Sequence, residues 1–298
     1  MKRVLITGIT GFTGHYVEVE LAKHGWDVWG FCEHSGPSKT CYRHVDLTHA
    51  ASVNEAVGYV GADAVVHLAA VSFVGHDKVD DFYRVNLMGT RNLLAALAAV
   101  EKKPECVILA SSANVYGNST EGVLSETTPP NPANDYALSK LAMEYMARLW
   151  FERLPIVITR PFNYTGVGQS KSFLLPKIVE HFRQRASVIE LGNMDVWRDF
   201  SDVRAVATVY RRLLEVRPKG ETVNICSGRT HSLRDVLSMA KRITGHKPGV
   251  EVNPAFVRAN DVRSLCGDAS KLRRLIGDWD SPPLEETLRW MLTEVDAY

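Results

Sequence analysis

Three side chains give the first sign of chemistry in this chain: Ser112, Tyr136 and Lys140. Ser112 comes just after an apolar run, and Lys140 lies four positions beyond Tyr136. Positions i and i+4 share one face of a helix, so the phenol and the ammonium can point into one cleft. A nearby ammonium lowers the pKa of a phenol from its usual value of about 10. We therefore expect Tyr136 to transfer a proton near neutral pH while Ser112 holds the substrate oxygen.

Taken alone, this tyrosine and lysine could be ordinary residues of an amphipathic helix, and a glycine-rich turn decides against that interpretation. Val4–Ile6 is predicted to be a buried strand, and glycines follow at positions 8, 11 and 14 before a helical pattern. A strand, glycine turn and helix in this order are typical of a dinucleotide site, where the helix N-terminus binds the pyrophosphate. The predicted cofactor contacts here are Gly8, Thr10, Gly11, Phe12, Thr13 and Gly14.

The adenosine end of this site is predicted at the next strands. Glu33 follows the strand Val28–Cys32, where an acidic residue usually bonds the ribose 2′-hydroxyl and repels a 2′-phosphate. Glu33 therefore favours NAD(H), although His34 leaves NADP(H) open. The alternative interpretation of Glu33 is a solvent-exposed residue that does not contact the cofactor. Asp46 and Leu47 are expected near the adenine.

Two further strands are predicted to end at the same edge of the sheet. The run 64–70 ends in Leu68, Ala69 and Ala70, whose size lets the backbone approach a cofactor, and His67 within it is expected to be a packed core residue. Cys106–Ala110 leads directly into Ser111 and Ser112. Ligands of open α/β sheets bind outside the carboxyl ends of the strands, which is where Ser112 would lie.

The alternation of strands and helices predicts the α/β class, a Rossmann-type doubly wound parallel sheet with helices on both faces. The composition changes after Pro161. We expect a cofactor-binding domain over 1–161 and a smaller, mixed α/β substrate lobe over 162–298, with the chain able to cross back between them.

Composition limits the class of function. The 298 residues carry a net charge of +1, which gives no general case for binding nucleic acid or an anionic membrane. The five cysteines show no framework spacing, so reduced cytoplasmic thiols are expected, with neither disulfides nor a metal cluster. No apolar run approaches the ~18 residues of a membrane helix, and the N-terminus is too short and polar for a signal peptide.

A predicted helix over 80–100 is apolar on more than one face. Such a helix is buried on more than one side, against a partner subunit or against a bulky neighbouring helix. A homodimer through this helix and the catalytic helix, expected over 135–152, is predicted from this apolar breadth together with the family resemblance given below.

With the glycine turn, His67–Ala70, Ser112 and the Tyr136/Lys140 pair in this order, the chain resembles the extended short-chain dehydrogenase/reductase family along nearly its whole length. Within that family it is most similar to enzymes that act on nucleotide sugars. Further stretches carry this resemblance: Arg160–Asn163, Leu191–Phe200, Asn224–Gly228, and Arg258 with Gly267–Lys271. The Leu191–Phe200 stretch resembles the GDP-mannose branch, the 4,6-dehydratases and the 4-keto-6-deoxymannose reductases.

The resemblance implies residue roles. Pro161 would join Tyr136 and Lys140 at the cofactor. The substrate residues that the resemblance implies are Ser111, Asn114, Asn163, Arg198, Arg258 and Asp261. The two arginines would clamp the diphosphate, and Asp261 would bond ribose hydroxyls. For each arginine, a surface ion pair is the alternative.

Residues 113 and 114 divide the two activities of that branch. A dehydratase of this type carries a glutamate base just after its serine or threonine, whereas this chain has Ala113–Asn114. The leading hypothesis is NAD(P)H-dependent reduction of GDP-4-keto-6-deoxy-D-mannose, to GDP-D-rhamnose or its C4 epimer. A 4-epimerase with tightly bound NAD is the alternative, dehydration is disfavoured, and a non-catalytic dinucleotide sensor that binds a protein partner is a third hypothesis.

Overall fold

The fold is built on one large parallel sheet and one smaller sheet. A computed structural model describes residues 1–33, 40–72, 78–117, 122–256 and 264–294. The strands are β1 (Arg3–Thr7), β2 (Asp27–Cys32), β3 (Tyr42–His44), β4 (Ala64–His67), β5 (Cys106–Ala110), β6 (Val123–Leu124), β7 (Ile156–Pro161), β8 (Asn163–Thr165), β9 (Val188–Leu191), β10 (Trp197–Asp202), β11 (Thr222–Ile225), β12 (Thr230–Ser232), β13 (Gly249–Val252) and β14 (Ser264–Gly267).

Helices cover both faces of the large sheet and also pack in the smaller lobe. They are α1 (Phe12–Lys23), α2 (Ala50–Val60), α3 (Val79–Asp81), α4 (Thr90–Ala99), α5 (Asp135–Arg148), α6 (Leu174–Arg183), α7 (Val203–Val216), α8 (Leu233–Thr244), α9 (Ser270–Ile276) and α10 (Leu284–Thr293). A wider, π-helical stretch over Phe82–Gly89 joins α3 to α4, and short 3₁₀ turns lie at Ala113–Tyr116 and Pro254–Phe256.

Seven parallel strands form the larger sheet in the order β11-β7-β5-β4-β1-β2-β3. Its central strands are runs of Val, Ile and Leu, as expected for a sheet that is covered on both faces. Alternate residues of β1 show both coverings. Val4 and Ile6 pack with α1 and α7, whereas Leu5 packs with α2, α4 and α5. The carboxyl ends of these strands form one edge, which positions the loops that carry the site.

The smaller lobe contains a five-stranded sheet, β12-β10-β14-β6 with β8 beside β10, and the two-stranded pair β9 and β13. Helices α6, α8 and α10 pack around a core that includes Ile178, Val236 and Leu288. Residues after 161 also complete the larger sheet, because β11 pairs with β7 and α7 packs on α1. The chain thus crosses back to the large sheet after β10, so the sequence division at 161 does not separate the two sheets.

The predicted doubly wound α/β fold is confirmed. The structure differs from the sequence-based elements at four places, the first being the catalytic helix expected over 135–152, which ends at Arg148. β3 was not predicted, because its three residues carry no apolar run. The helix expected over 80–100 is interrupted by the π-helical stretch, and the strand expected over 64–70 ends at His67, after which the backbone leaves the sheet to line the cleft.

Candidate active site

A cleft of about 1090 Å³ opens at the carboxyl ends of the parallel strands and is closed on its other side by β8, β10 and α6 of the smaller lobe. Every site residue predicted from the sequence that the structure describes lines this cleft. They are Gly8, Thr10, Gly11, Phe12, Thr13, Gly14, Glu33, Asp46, Leu47, Leu68, Ala69, Ala70, Ser111, Ser112, Asn114, Tyr136, Lys140, Pro161, Asn163 and Arg198. The predicted Arg258 and Asp261 lie outside the described residues, as does His34.

The glycine turn between β1 and α1 is closely packed. Gly8 has a φ of +71°, in the left-handed region, and a Cβ there would lie 2.8 Å from the backbone nitrogen of Ala69. A Cβ on Gly14 would lie 2.3 Å from the carbonyl oxygen of Gly8, so α1 can begin this close to the turn only with glycine. The first residues of α1 line the cleft, and Gly11 at the helix N-cap supplies no side-chain cap, a geometry that suits a phosphate group.

At the predicted adenosine end, Glu33 is exposed and directly follows β2. Asp46 is already engaged, because its Oδ1 accepts the N–H of Thr48 at 2.8 Å and the Thr48 hydroxyl at 2.7 Å. These hydrogen bonds hold the pKa of Asp46 below its usual value. Leu47 is buried, and its carbonyl accepts a hydrogen bond from Asn92. Asp46 thus organises its own loop in addition to lining the cleft.

The small residues after β4 are held by a buried chain of hydrogen bonds. The Thr90 hydroxyl donates to the carbonyl of Asn86 at 2.7 Å, so its oxygen accepts from His67 Nε2 at 2.8 Å. Nδ1 of the same imidazole then accepts the Thr7 hydroxyl at 2.6 Å, and the oxygen of Thr7 accepts the N–H of Ala69 at 3.2 Å. Burial lowers the pKa of His67 to about 3. His67 is a neutral, packed residue of the core, as its sequence context predicts.

Ser112 and Tyr136 meet in the cleft. Asn134 caps α5 by accepting the N–H of Ala137 at 2.9 Å, which fixes the start of the helix that carries Tyr136. The phenol is hydrogen-bonded to Ser112, and this contact lowers its pKa. Burial has the larger effect and raises the pKa of Tyr136 to about 12. The lowered phenol pKa expected from the sequence is not found, because desolvation outweighs the hydrogen bond to Ser112, and the Lys140 ammonium, which donates to the carbonyl of Ala110, is not among the groups that shift this pKa.

Lys140 lies one helical turn beyond Tyr136, as the spacing predicts. Its ammonium donates to the carbonyl of Ala110 at 2.7 Å, at the end of β5. Burial lowers the pKa of Lys140 to about 8, and the Glu144 carboxylate opposes that shift. The amine is therefore still largely charged at neutral pH.

A buried ion pair lies behind these residues, and it was not predicted from the sequence. Glu144 of α5 and Arg160 of β7 pair at 2.6 Å, and the Ser111 hydroxyl donates to Glu144 Oε1 at 2.6 Å. The hydroxyl of Ser111, predicted to contact substrate, is thus directed at a carboxylate of the protein. The position of Glu144 four residues after Lys140 was the available sequence signal that its carboxylate lies near the catalytic lysine.

In the smaller lobe, Asn163 and Arg198 face the cleft, while the neighbouring Asp199 is fully buried. Asp199 accepts the N–H and hydroxyl of Ser227 and the N–H groups of Gly228 and Gly267, at 2.6 to 3.3 Å. These bonds join three of the stretches that carry the family resemblance. The Asp199 contacts position the strand β10 from which Arg198 reaches the cleft.

Within the described ranges, no group of three or more His, Cys, Asp or Glu side chains could hold a metal ion. In the same part of the chain, the helices fall short of the length and apolar character needed to cross a membrane. All five cysteines carry free thiols.

Known proteins resemble this chain over almost its full length. The profile of the family described as GDP-mannose 4,6 dehydratase matches residues 5–291. A GDP-6-deoxy-D-talose 4-dehydrogenase of Aggregatibacter actinomycetemcomitans is 34% identical, with 93% of this chain and 92% of the relative covered. A GDP-6-deoxy-D-mannose reductase of Pseudomonas aeruginosa is 31% identical, with 99% of this chain and 98% of the relative covered.

Two solved structures also match nearly the whole chain. One, from Burkholderia cenocepacia J2315 and provisionally described as an epimerase, is 52% identical with a TM-score of 0.92, covering 98% of this chain and 97% of its own. The other, RMD from Pseudomonas aeruginosa in complex with NADPH, is 29% identical with a TM-score of 0.85, covering 98% of both chains. By its fold, its cleft and these similarities, the chain belongs to the nucleotide-sugar branch of the extended short-chain dehydrogenase/reductases, in the family described as GDP-mannose 4,6 dehydratase.

Proposed function

We propose that this protein is an oxidoreductase that reduces the C4 ketone of a GDP-4-keto-6-deoxyhexose with a nicotinamide cofactor. The observation that carries the proposal is the convergence of Ser112, Tyr136 and Lys140 in one cleft where, among the described residues, no carboxylate lines the wall beside them. The nearby Glu144 is buried in its ion pair with Arg160 and does not face the cleft. Among the described residues, the carboxylates that line the cleft are Glu33 and Asp46. They follow β2 and β3, at least three strand spacings from Ser112, or about 14 Å.

This separation decides between reduction and dehydration. Elimination of water needs a base at C5 in addition to the tyrosine, and Ala113 and Asn114 cannot act as one. Reduction of a ketone needs a hydride and one proton donor. The family description alone would suggest a dehydratase, but the residues after Ser112 and two relatives named as a reductase and a 4-dehydrogenase favour reduction.

A dinucleotide fits the described residues. The uncovered start of α1 and the close approach of Ala69 to Gly8 leave backbone N–H groups available to phosphate oxygens. The turn Gly8–Gly14, the loop Leu68–Ala70 and Pro161 would hold the cofactor, with Tyr136 and Lys140 at the nicotinamide ribose. When bound, the reduced nicotinamide supplies the hydride. Glu33 favours NADH, whereas the similar RMD structure contains NADPH, so both are included in the assay below.

The catalytic side chains have separate roles in this proposal. Ser112 donates a hydrogen bond to the C4 oxygen and places it beside the phenol. Tyr136 protonates the alkoxide that forms at that oxygen, and burial of the phenol keeps it in the protonated form required. The positive charge of Lys140 favours release of that proton.

The substrate is expected to lie against the smaller lobe. Asn114 and Asn163 would contact the sugar or the diphosphate, Arg198 and Arg258 would clamp the diphosphate, and Asp261 would bond the ribose. The product is GDP-D-rhamnose or GDP-6-deoxytalose, depending on the face of the ketone that receives the hydride. The names of the two relatives cover both configurations at C4.

A 4-epimerase is the second candidate, favoured by the Burkholderia cenocepacia structure provisionally described as an epimerase. It would use the same three catalytic residues but oxidise and re-reduce one sugar. Such an enzyme retains its cofactor through the cycle, whereas a reductase exchanges it.

The assay at 340 nm distinguishes these two functions. GDP-4-keto-6-deoxymannose is generated in situ and mixed with the protein and either NADH or NADPH. Consumption of one reduced cofactor per sugar supports the reductase and gives its cofactor preference. No consumption, with NAD released from the protein on denaturation, would reject the reductase in favour of the epimerase.

The proposal extends to assembly and location. Exposed apolar side chains on the two helices around the catalytic residues, among them Met88 and Leu149, favour a homodimer. Residues 162–298 would form most of the substrate lobe, apart from β11, α7 and α9, which belong to the large sheet and its helices. The free thiols are consistent with the cytoplasm.

A further inference from the structure

The buried ion pair lies directly behind the catalytic side chains. The side chains of Glu144 and Arg160 are 1% and 4% exposed. Arg160 donates from Nε to Glu144 Oε1 at 2.9 Å and from Nη2 to Oε2 at 2.6 Å, a bidentate arrangement that fixes both planar groups. Oε1 also accepts the Ser111 hydroxyl at 2.6 Å. The carboxylate is thus fully engaged and has one orientation.

This pair joins the three elements that carry the reaction. Glu144 lies one helical turn after Lys140 on α5. Ser111, held by the carboxylate, is the residue before Ser112 and follows β5, whose last carbonyl accepts the Lys140 ammonium. Arg160 precedes Pro161, which lines the cleft at the end of β7. A shift of the carboxylate would therefore move Ser112 and Lys140 relative to each other.

The arginine is itself anchored from the other side. Its Nη1 donates to the Tyr116 hydroxyl at 3.0 Å, and that hydroxyl donates to Asn224 Oδ1 at 2.7 Å. Asn224 lies on β11, the strand that returns from the second half of the chain. The position of Arg160 is thus set by two strands and by the turn after Ser112.

The charge of Glu144 also acts on Lys140. The titratable groups around the ammonium are Tyr136 and Glu144 on its own helix, His67 on β4 and, beyond Glu144, Arg160 on β7. His67 is neutral and Tyr136 is protonated at neutral pH, so Glu144 is the anion of this set. Its carboxylate opposes the effect of burial on the pKa of Lys140.

We propose that Glu144 is a positioning residue of the active site. Through its hydrogen bond from Ser111 it orients Ser112, and through its negative charge, one turn from Lys140, it favours the ammonium form of that side chain. Arg160 fixes the carboxylate for both tasks. The effect on turnover rests on the proposed function, whereas the effect on Lys140 does not.

The charge effect is measured on the free protein. Competitive labelling with trace acetic anhydride across pH, read by peptide mass spectrometry, gives the pKa of Lys140 without any substrate. In Glu144→Gln we expect this pKa to fall by about one unit, because an opposite charge is removed. The alkaline limb of kcat/KM is expected to move by the same amount, and kcat to fall about 10-fold or more through the misplaced Ser112.

Three further variants separate positioning from stability. Glu144→Gln/Arg160→Met removes both charges, so no uncompensated ion is buried if the single variant fails to fold, and a lower Lys140 pKa is again expected. Ser111→Ala should lower kcat and leave the pKa of Lys140 in place. Glu20→Gln removes a half-buried pair with Arg211 between α1 and α7 and should change neither quantity.

A folded double variant with the Lys140 pKa and the kcat of the unmodified protein would overturn the proposal, since the ion pair would then be structural only. An equal pKa shift in Glu20→Gln would also overturn it. If the unmodified protein turns over no GDP-sugar, the proposed function fails, and the labelling experiment still decides whether Glu144 controls Lys140.

Discussion

Burial acts in opposite directions on the two ionisable catalytic side chains. It raises the pKa of Tyr136 to about 12 and lowers that of Lys140 to about 8. Both shifts favour the neutral form, as desolvation requires. Tyr136 is thus fully protonated at neutral pH, which suits a proton donor, whereas Lys140 is still largely charged there and loses its charge as the pH rises through about 8.

Tyr136→Phe tests the proton donor. Loss of the hydroxyl removes general acid catalysis, so we expect kcat to fall by at least ~10²-fold. Cofactor affinity, measured by fluorescence titration, should stay within about a factor of three because the ring still packs in place, a difference of well under 1 kcal/mol. Tyr59→Phe is the matched control, since Tyr59 is 60% exposed on α2. Unchanged turnover in Tyr136→Phe would reject the reductase and the epimerase alike.

The pH dependence of kcat/KM tests Lys140. The reaction uses its positive charge, so activity is present below its pKa and is lost as the pH rises through it. The limb should be centred near pH 8, the pKa of Lys140 in the free protein. Lys140→Arg keeps the charge at all accessible pH values and should abolish this limb at the cost of a lower rate. An unchanged limb in Lys140→Arg would show that another group titrates.

At this scale the sequence predicts the residues that line the cleft but misses the buried ion pair behind them. The Tyr136/Lys140 spacing is visible because both lie on one helix. Glu144 and Arg160 come together only when α5 packs over β5 and β7, and the two helix-period neighbours Lys140 and Glu144 gave no indication of the arginine. The pKa of Tyr136 could not be predicted either, because desolvation depends on the folded surroundings.

The element on which cofactor binding depends is the junction of β1, the glycine turn and α1. A Cβ on Gly14 would lie 2.3 Å from the oxygen of Gly8 and 2.6 Å from that of Ile9. Both are backbone atoms and cannot rotate away, so Gly14→Ala must displace α1 or the turn. We expect a loss of stability of roughly 1–3 kcal/mol and at least ~10-fold weaker cofactor binding, measured by urea unfolding and fluorescence titration.

Gly58→Ala is the control for that prediction. Gly58 lies inside α2, and a Cβ there would have no neighbour within 4 Å. Alanine at an open helical position favours folding by about 0.5–1 kcal/mol, and cofactor affinity should not change. If Gly14→Ala is as stable as Gly58→Ala and binds the cofactor equally well, the close packing of the glycine turn does not explain why residue 14 is glycine.

Elements with long apolar runs are predicted well, and short or interrupted ones are not. β1, β5 and β7 follow from their runs of Val, Ile and Leu, and β2 follows from its valine and aromatic residues. The interruption after α3 has no such signature. In the structure, this π-helical stretch carries Asn86, whose amide bonds the backbone of Val71 and the hydroxyl of Ser139. The contacts of Asn86 join segments that are distant in the sequence, so the sequence pattern gives no sign of them.

At the scale of the whole molecule, apolar surface near the catalytic helix is left uncovered. Leu138, Tyr145 and Leu149 recur on one face of α5 and its end, and are 45%, 56% and 81% exposed. Met88, on the π-helical stretch that packs against α5, is 46% exposed. A second copy of the chain could cover both helices at once.

Met88→Glu/Leu149→Glu tests this assembly. Two carboxylates on the contact face would have to be buried unpaired, so we expect the dimer dissociation constant to rise by at least ~100-fold, or about 2.7 kcal/mol. Sedimentation velocity across a micromolar concentration series measures it. Val216→Glu, at a 49% exposed position at the end of α7, is the matched control and should remain dimeric. If the unmodified chain is a monomer at every concentration, the apolar face of α5 is not a dimer interface, and each cleft works as a single-chain site.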